Sequence, residues 1–295
     1  MSEYYWDTQM EYLRHSRDLF YNDDYIEFLV RTVWRIETPV HLIDFGCGYG
    51  YLGLKLLPLL PQGSTYTGID LGDQLLNEAR ELFAPLPYKT VFLHGDIQEI
   101  ALDRKYDIAI CHAFLLHVPN PMDVLKKMVD CVVDTGKVIT FEPHWISHAS
   151  NFYLHGHDQS RFVQLGLLQK LYEQDAARGG KDGNIGMKIP VYLSQLGLKN
   201  IECRVSDKVN FLHPNMEVDR QNRLFTRLLE SGYADVPNED RNVFINNLIE
   251  RGATVHEAEI QYENELLLSK EFHLESYFTY ASNMKITYGS VARKN

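Results

Sequence analysis

The sequence is short of basic charge, of cysteine and of uninterrupted apolar stretches, and each shortage excludes something. Against 40 acidic residues stand 29 Lys and Arg, a formal net charge of -11. That argues against nucleic acid as the main partner, because phosphate backbones are held by basic surfaces. The four cysteines, Cys47, Cys111, Cys131 and Cys203, lie far apart with no CxxC pair to suggest zinc. They read as reduced, mostly buried thiols of a cytoplasmic protein. The most apolar stretch, "YLGLKLLPLLP", is interrupted by Lys55 and Pro58 and is too short to span a bilayer. No basic start followed by an apolar core marks a secretory leader. With no Pro/Ser-rich linker, repeat or low-complexity tract in 295 residues, one core domain with helical additions is expected.

Glycine, by contrast, is concentrated in one place. In "HLIDFGCGYGYLG" (41–53), Gly46, Gly48, Gly50 and Gly53 follow Asp44 at the end of an apolar run. Further apolar runs, "STYTGID", "TVFLHGD", "YDIAICHAF" and "GKVITFE", alternate with helical stretches starting near Gly50, Asp73 and Pro121. This alternation predicts βαβ units and a mostly parallel sheet. Such sheets bind ligands at the carboxyl ends of their strands, where Asp44, Asp70, Asp96 and His112 fall. Three acids closing three successive strands are poor core residues and point to a polar ligand.

Two ligand classes want a bare backbone here. The dinucleotide fingerprint is G-x-G-x-x-G, the third glycine letting helix and strand approach. In this chain Tyr51 holds that third position, and Gly53 comes two residues late. Asp44 would also repel a diphosphate seated on the following helix N-terminus. S-adenosylmethionine carries a sulfonium and an ammonium instead, which makes Asp44 an asset and leaves the glycines to admit the amino-acid moiety. Asp70, 24 residues after Gly46, suits a ribose diol under either reading.

The stretch from Val40 to Glu142 resembles the class I (Rossmann-like) S-adenosylmethionine-dependent methyltransferases. It is close to the small-molecule enzymes of the ubiquinone/menaquinone-biosynthesis type. "LIDFGCGYG", "GID", "GDI" and "YDIAICHAFLLHVPNP" carry the resemblance. It implies an α/β fold, a seven-stranded mostly parallel sheet with helices on both faces. The last strand would be antiparallel and inserted between the fifth and sixth. "ECRVSD" would be strand six and "MKITYGSVARK" strand seven. The resemblance further implies that Gly46, Cys47 and Gly48 hold the methionine part of the cofactor, with Asp44 and His112 beside it. Asp70 would bind the ribose, Leu71 and Ile97 would pack on the adenine, and Asp96 would accept from its amino group.

The implied reaction is methyl transfer from S-adenosylmethionine to a small-molecule acceptor. The alternatives are a non-catalytic cofactor-binding protein and a protein methyltransferase. A general base is needed only if the acceptor must lose a proton, and His117 and His144 are the candidates. His144 and His148, spaced i, i+4 and followed by His155, His157 and Asp158, lack a regular third ligand, so no metal is expected. Residues 1–38 read as an N-terminal helical segment, a candidate lid. Residues 39–295 read as the methyltransferase domain, with helical insertions near 147–190 and 212–275. Asn22, Asn238 and the Thr254–Glu257 pair are expected helix caps, and Gly197 a helix C-terminus.

Overall fold

In the computed structural model of the chain, which describes residues 4–102, 105–233 and 240–293, a 3₁₀ turn (Tyr5–Gln9) leads into helices α1 (Met10–Arg17) and α2 (Asp23–Phe28). The alternation seen in the sequence follows as strands β1 (His41–Phe45), β2 (Thr65–Asp70), β3 (Lys89–His94), β4 (Tyr106–His112) and β5 (Val132–Glu142). Helices α3 (Tyr51–Leu56), α4 (Asp73–Phe83) and α5 (Pro121–Cys131) fall after β1, β2 and β4. The rest of the chain runs α6 (Trp145–Ser150), β6 (Phe152–Leu154), α7 (Leu165–Gly179), α8 (Ile189–Gln195), β7 (Lys199–Val205), β8 (Val209–Leu212), α9 (Val218–Glu230), α10 (Arg241–Glu250), α11 (Val255–Glu271), β9 (Phe278–Ala281) and β10 (Lys285–Ser290).

Seven strands form one sheet in the order β3-β2-β1-β4-β5-β10-β7. Neighbours pair in parallel except β10, which is antiparallel to both β5 and β7. The expected α/β topology is therefore present, with the last strand inserted where the resemblance placed it. Every residue of β2 is buried, as is all of β1 except His41, the signature of parallel strands covered on both faces. The two edges, β3 and β7, are mostly open to solvent. Two apolar clusters flank the sheet, one built on Leu42, Tyr66, Ile110 and Phe141, the other on Ile43, Phe45, Ala109 and Val138. Alternate residues of one strand thus feed opposite faces.

The first of the two helical insertions also contains a strand, β6, and strands β8 and β9 flank the second. Together they make a three-stranded antiparallel sheet in the order β6-β9-β8. Phe152, Phe278 and Tyr280 carry its buried face into the main core. Helices α7, α10 and α11 form a satellite cluster around Leu171, Ile245, Leu248 and Ala258.

The helix ends follow local chemistry. Thr254 and Glu257 form both bonds of a capping box at the start of α11, and Gly197 sits at φ +83° just past α8. Asn22 precedes α2, but its amide donates to the Asp207 carboxylate at 2.7 Å instead of capping the helix. Asn238 lies outside the described residues; α10 is capped by Asp240, whose carboxylate accepts from Asn242 N at 2.7 Å.

Candidate functional site

The glycine loop is tied to the end of β2. The amides of Gly46 and Cys47 both donate to Ile69 O, at 2.9 and 3.0 Å. Gly46 and Gly48 have φ of +68° and +54°, a region that side chains resist. A Cβ at Gly46 would run into the Phe114 ring, whereas the place of a Cβ at Gly48 is open space on the wall of a cavity of about 790 Å³. This is large among small-molecule sites, which run to roughly 1,000 Å³.

At one end of the cavity, Asp70 closes β2. Its carboxylate accepts from Gly48 N at 2.7 Å and Gly72 N at 2.9 Å, so the acid and the loop hold one another. Burial raises the Asp70 pKa against these bonds, and each oxygen keeps a lone pair for a ligand hydroxyl. Leu71, half exposed, and buried Ile97 line the same end. Asp96 lines it too, its Oδ1 accepting from Gln98 N at 2.8 Å.

The N-terminal segment covers this end. Tyr4, Trp6, Tyr12, Leu13 and Arg17 all line the cavity. Asp7 accepts from Leu75 N at 3.0 Å, and Trp6 packs its ring 4.7 Å from that of His117. Side-chain contacts anchor the segment on both sides: Arg14 pairs with Glu78 of α4 and Asp18 with Arg227 of α9, and the His15 ring meets the Glu230 carboxylate of α9. Arg17 is buried beside the rings of Tyr49 and Tyr51. One of its terminal nitrogens donates to Leu13 O at 3.2 Å, and its Nε has no partner.

Where β4 ends, His112 is buried against the cavity, with Tyr21 Oη 3.2 Å from its Nε2 and no partner for its Nδ1. Burial drives its pKa well below the ordinary value, with the charge of Arg17 adding to the effect. His117, in the 3₁₀ turn Leu115–His117, also lines the cavity, and burial lowers it to about 4. Both imidazoles are neutral at pH 7. The loop carrying them is pinned by Glu142 at the end of β5, whose Oε1 accepts from Phe114 N and Leu115 N at 3.0 and 2.9 Å. Burial holds that carboxyl up at about 7.

Beyond His112 the cavity continues past Phe20 and His148 into a second lobe, walled by Trp145, Phe152, Phe162, Tyr172 and Tyr233. The ring of Phe20 is 6.0 Å from those of both His112 and His148. The two halves are thus one space.

The sequence family described as "Methyltransferase domain" matches residues 43–138. Over 147 residues the chain is 25% identical to the ubiquinone biosynthesis O-methyltransferase of Vibrio parahaemolyticus, covering 45% of this chain and 61% of that protein. Over 141 residues it is 26% identical to a malonyl-[acyl-carrier protein] O-methyltransferase of Halalkalibacterium halodurans, covering 45% of this chain and 49% of that one. The matches therefore span about half to three-fifths of these curated relatives. Among solved structures, the phosphoethanolamine N-methyltransferase 2 of Haemonchus contortus, in complex with S-adenosyl-L-methionine, superposes with a TM-score of 0.52 at 13% identity, covering 97% of this chain and 57% of that one. Residues 43–138 thus match a methyltransferase domain, and the chain shares the fold of that solved methyltransferase.

The residues of the cavity fit S-adenosylmethionine. Gly48 leaves room on the wall, Asp70 presents acceptor oxygens, and Arg17 and His112 keep buried nitrogens without partners. Eight of the eleven residues singled out in the sequence are gathered around one cavity: Gly46, Gly48, Asp70, Leu71, Asp96, Ile97, His112 and His117. Three are placed elsewhere. Asp44 is buried beneath the loop, its Oδ2 accepting from Tyr66 Oη at 2.8 Å and its Oδ1 unpartnered; burial lifts its pKa to about 7. Cys47 turns its sulfur toward Gly68, leaving only its main chain at the loop. The ring of His144 caps α6, accepting from Ser147 N at 3.3 Å, and is not among the cavity-lining groups.

Sequence reasoning missed Arg17, whose only signal was a basic residue on an aromatic helix, and Gln261, which had none. Among the described residues no group of three or more His, Cys, Asp and Glu is gathered to hold a metal. Nor is any described helix long and apolar enough to cross a membrane.

Proposed function

We propose that the protein transfers the methyl group of S-adenosylmethionine to a small-molecule acceptor bound in the second lobe. The observation that carries this reading is the continuity of the cavity, from the glycine loop and strand-end acids to the aromatic lobe. When bound, S-adenosylmethionine supplies a methyl carbon already activated on a positively charged sulfur. The chain's task is then to fix the two partners in line and keep water out.

The roles follow from charge and placement. Asp70 holds the ribose diol, Asp96 the adenine amino group, and Leu71 and Ile97 the faces of the base. Gly46, Gly48 and the Cys47 main chain flank the methionine part, with His112 next to it. Its carboxylate needs a cation, and among the described cavity-lining residues the cations are Arg17 and Arg251. Arg251 is engaged by Asp175 through three bonds of 2.8–3.2 Å, which leaves Arg17. The N-terminal segment therefore acts as a lid that brings its own ligand. His117, neutral and facing the cavity, takes the proton when the acceptor must lose one. We place this chemistry in the cytoplasm, in keeping with the buried, reduced Cys47, Cys111 and Cys131.

The test is to incubate the protein and its Asp70→Ala variant with methyl-labelled S-adenosylmethionine and a cell extract. Asp70→Ala should bind the cofactor about a hundredfold more weakly, since two charge-assisted bonds to the diol are lost. Label in small molecules, absent with the variant, is the expected result. Label in protein would move the acceptor class to polypeptides. Cofactor binding with no label in any fraction would make the protein a non-catalytic binder.

A further inference from the structure

The acceptor lobe carries polar groups that the chemistry of methyl transfer does not use. Gln261 of α11 lines the cavity and is nine-tenths buried. Its Nε2 donates to Glu265 Oε1 at 2.9 Å, one helical turn on. That bond orients the amide: turned over, it would set two oxygens face to face. Its Oε1 is consequently left without a partner. Ser231, which also lines the lobe, has a buried hydroxyl without a partner. A buried polar atom left unmatched is costly, so two of them in one lobe mark where a ligand completes the hydrogen bonding.

The sign of the missing partner can be read. An amide oxygen only accepts, and Glu265 beside it is an acid; Ser231 can serve either way. Arg251, the cation at this end, is matched by Asp175. A carboxylate or phosphate brought here would face acceptors, whereas an O–H or N–H would be welcomed. Around this polar spot the walls are aromatic, with Tyr172 and Trp145 in edge contact at 6.0 Å and Phe152 and Tyr233 at 5.5 Å.

We infer that the methyl acceptor is a flat or elongated apolar molecule whose remote end bears a hydroxyl or amino group, read by Gln261 and Ser231 with Glu265 behind them. Gln261 is a specificity residue in this scheme, acting on the end of the acceptor away from the methyl group. The inference rests on the methyl-transfer reading for the word acceptor. The subsite itself is defined by the lobe.

The test uses the full chain saturated with S-adenosylhomocysteine and three probes that share a phenyl ring: 2-phenylethanol, 2-phenylethylamine and phenylacetate. Titration followed by ligand-observed NMR should show the alcohol and the amine binding about tenfold more tightly than the acid, the scale of one satisfied buried acceptor. Gln261→Leu should erase that preference while calorimetry shows unchanged affinity for S-adenosylhomocysteine, which also certifies that the variant is folded. The probe comparison on the unaltered chain stands even if the variant does not fold. Equal or tighter binding of phenylacetate, no binding of any probe, or a folded Gln261→Leu that retains the preference would overturn the inference. A chain that takes the probes but not S-adenosylhomocysteine would overturn the methyl-transfer reading and leave the subsite standing.

Discussion

Replacing Glu142 with Gln should make the protein steadily more stable relative to wild type as the pH rises from acid to alkaline. Glu142 is fully buried; one oxygen accepts from two loop amides and the other has no partner. Its pKa stands at about 7 against an ordinary 4.5. As pH rises through 4.5 the unfolded chain gives up this proton first, so folding loses stability until the native carboxyl ionises near 7, and the loss is constant above. At about 1.4 kcal/mol per pH unit between the two values, the charge costs roughly 3 kcal/mol by pH 8. Glutamine keeps the acceptor oxygen for Phe114 and Leu115 but cannot ionise. Whatever its amide costs in the site is the same at every pH. The stability of Glu142→Gln relative to wild type should therefore rise by roughly 3 kcal/mol between pH 4.5 and 8. His117 and His148, both held near 4, add an opposite slope, but it is common to both proteins and cancels. Urea unfolding of the pair at pH 4.5, 6, 7 and 8 measures this. A gap that stays constant across the series would refute the claim that Glu142 is ionised at a cost.

The cofactor end supports two further expectations. Arg17→Met should weaken S-adenosylhomocysteine binding about tenfold or more, the scale of a charged hydrogen bond, while leaving methylthioadenosine, which lacks the amino-acid part, unaffected; equal losses for both would show that Arg17 only supports the lid. Gly48→Ala should cost about 1 kcal/mol of stability for its positive φ but far more in cofactor affinity, because the methyl group enters the open space on the cavity wall. Thermal unfolding and calorimetry separate the two effects, and unchanged affinity would remove Gly48 from the binding surface.

The glycine-loop half of the cavity was legible because its signals are local. An acid or histidine closing each apolar run, and glycines directly after one, need no knowledge of distant contacts. The capping box of Thr254 and Glu257 is likewise written within four residues. The small sheet was illegible for the opposite reason. β6 is three residues long and pairs with residues 278–280, so its alternation is too short to register and its partner too far away to suspect. Asp44 and His144 show another limit. Position at a strand end does not say whether a side chain turns toward the ligand or beneath the loop, and Tyr66 and Ser147 settle that here. Gln261 looks like any polar residue of a helix until the lobe encloses it.

The placement of β10 has a consequence for how the molecule is made. β5 ends at Glu142 and its antiparallel neighbour begins at Lys285, yet β7 reaches the sheet only through that neighbour. On the ribosome the five strands that carry the glycine loop and its acids emerge long before the strand that closes them. Until then the flank of β5 is an open edge, the kind of surface that recruits other chains. The nascent chain can thus acquire the framework of its cofactor half early, but β7 can join the sheet only after the final strand has been synthesised.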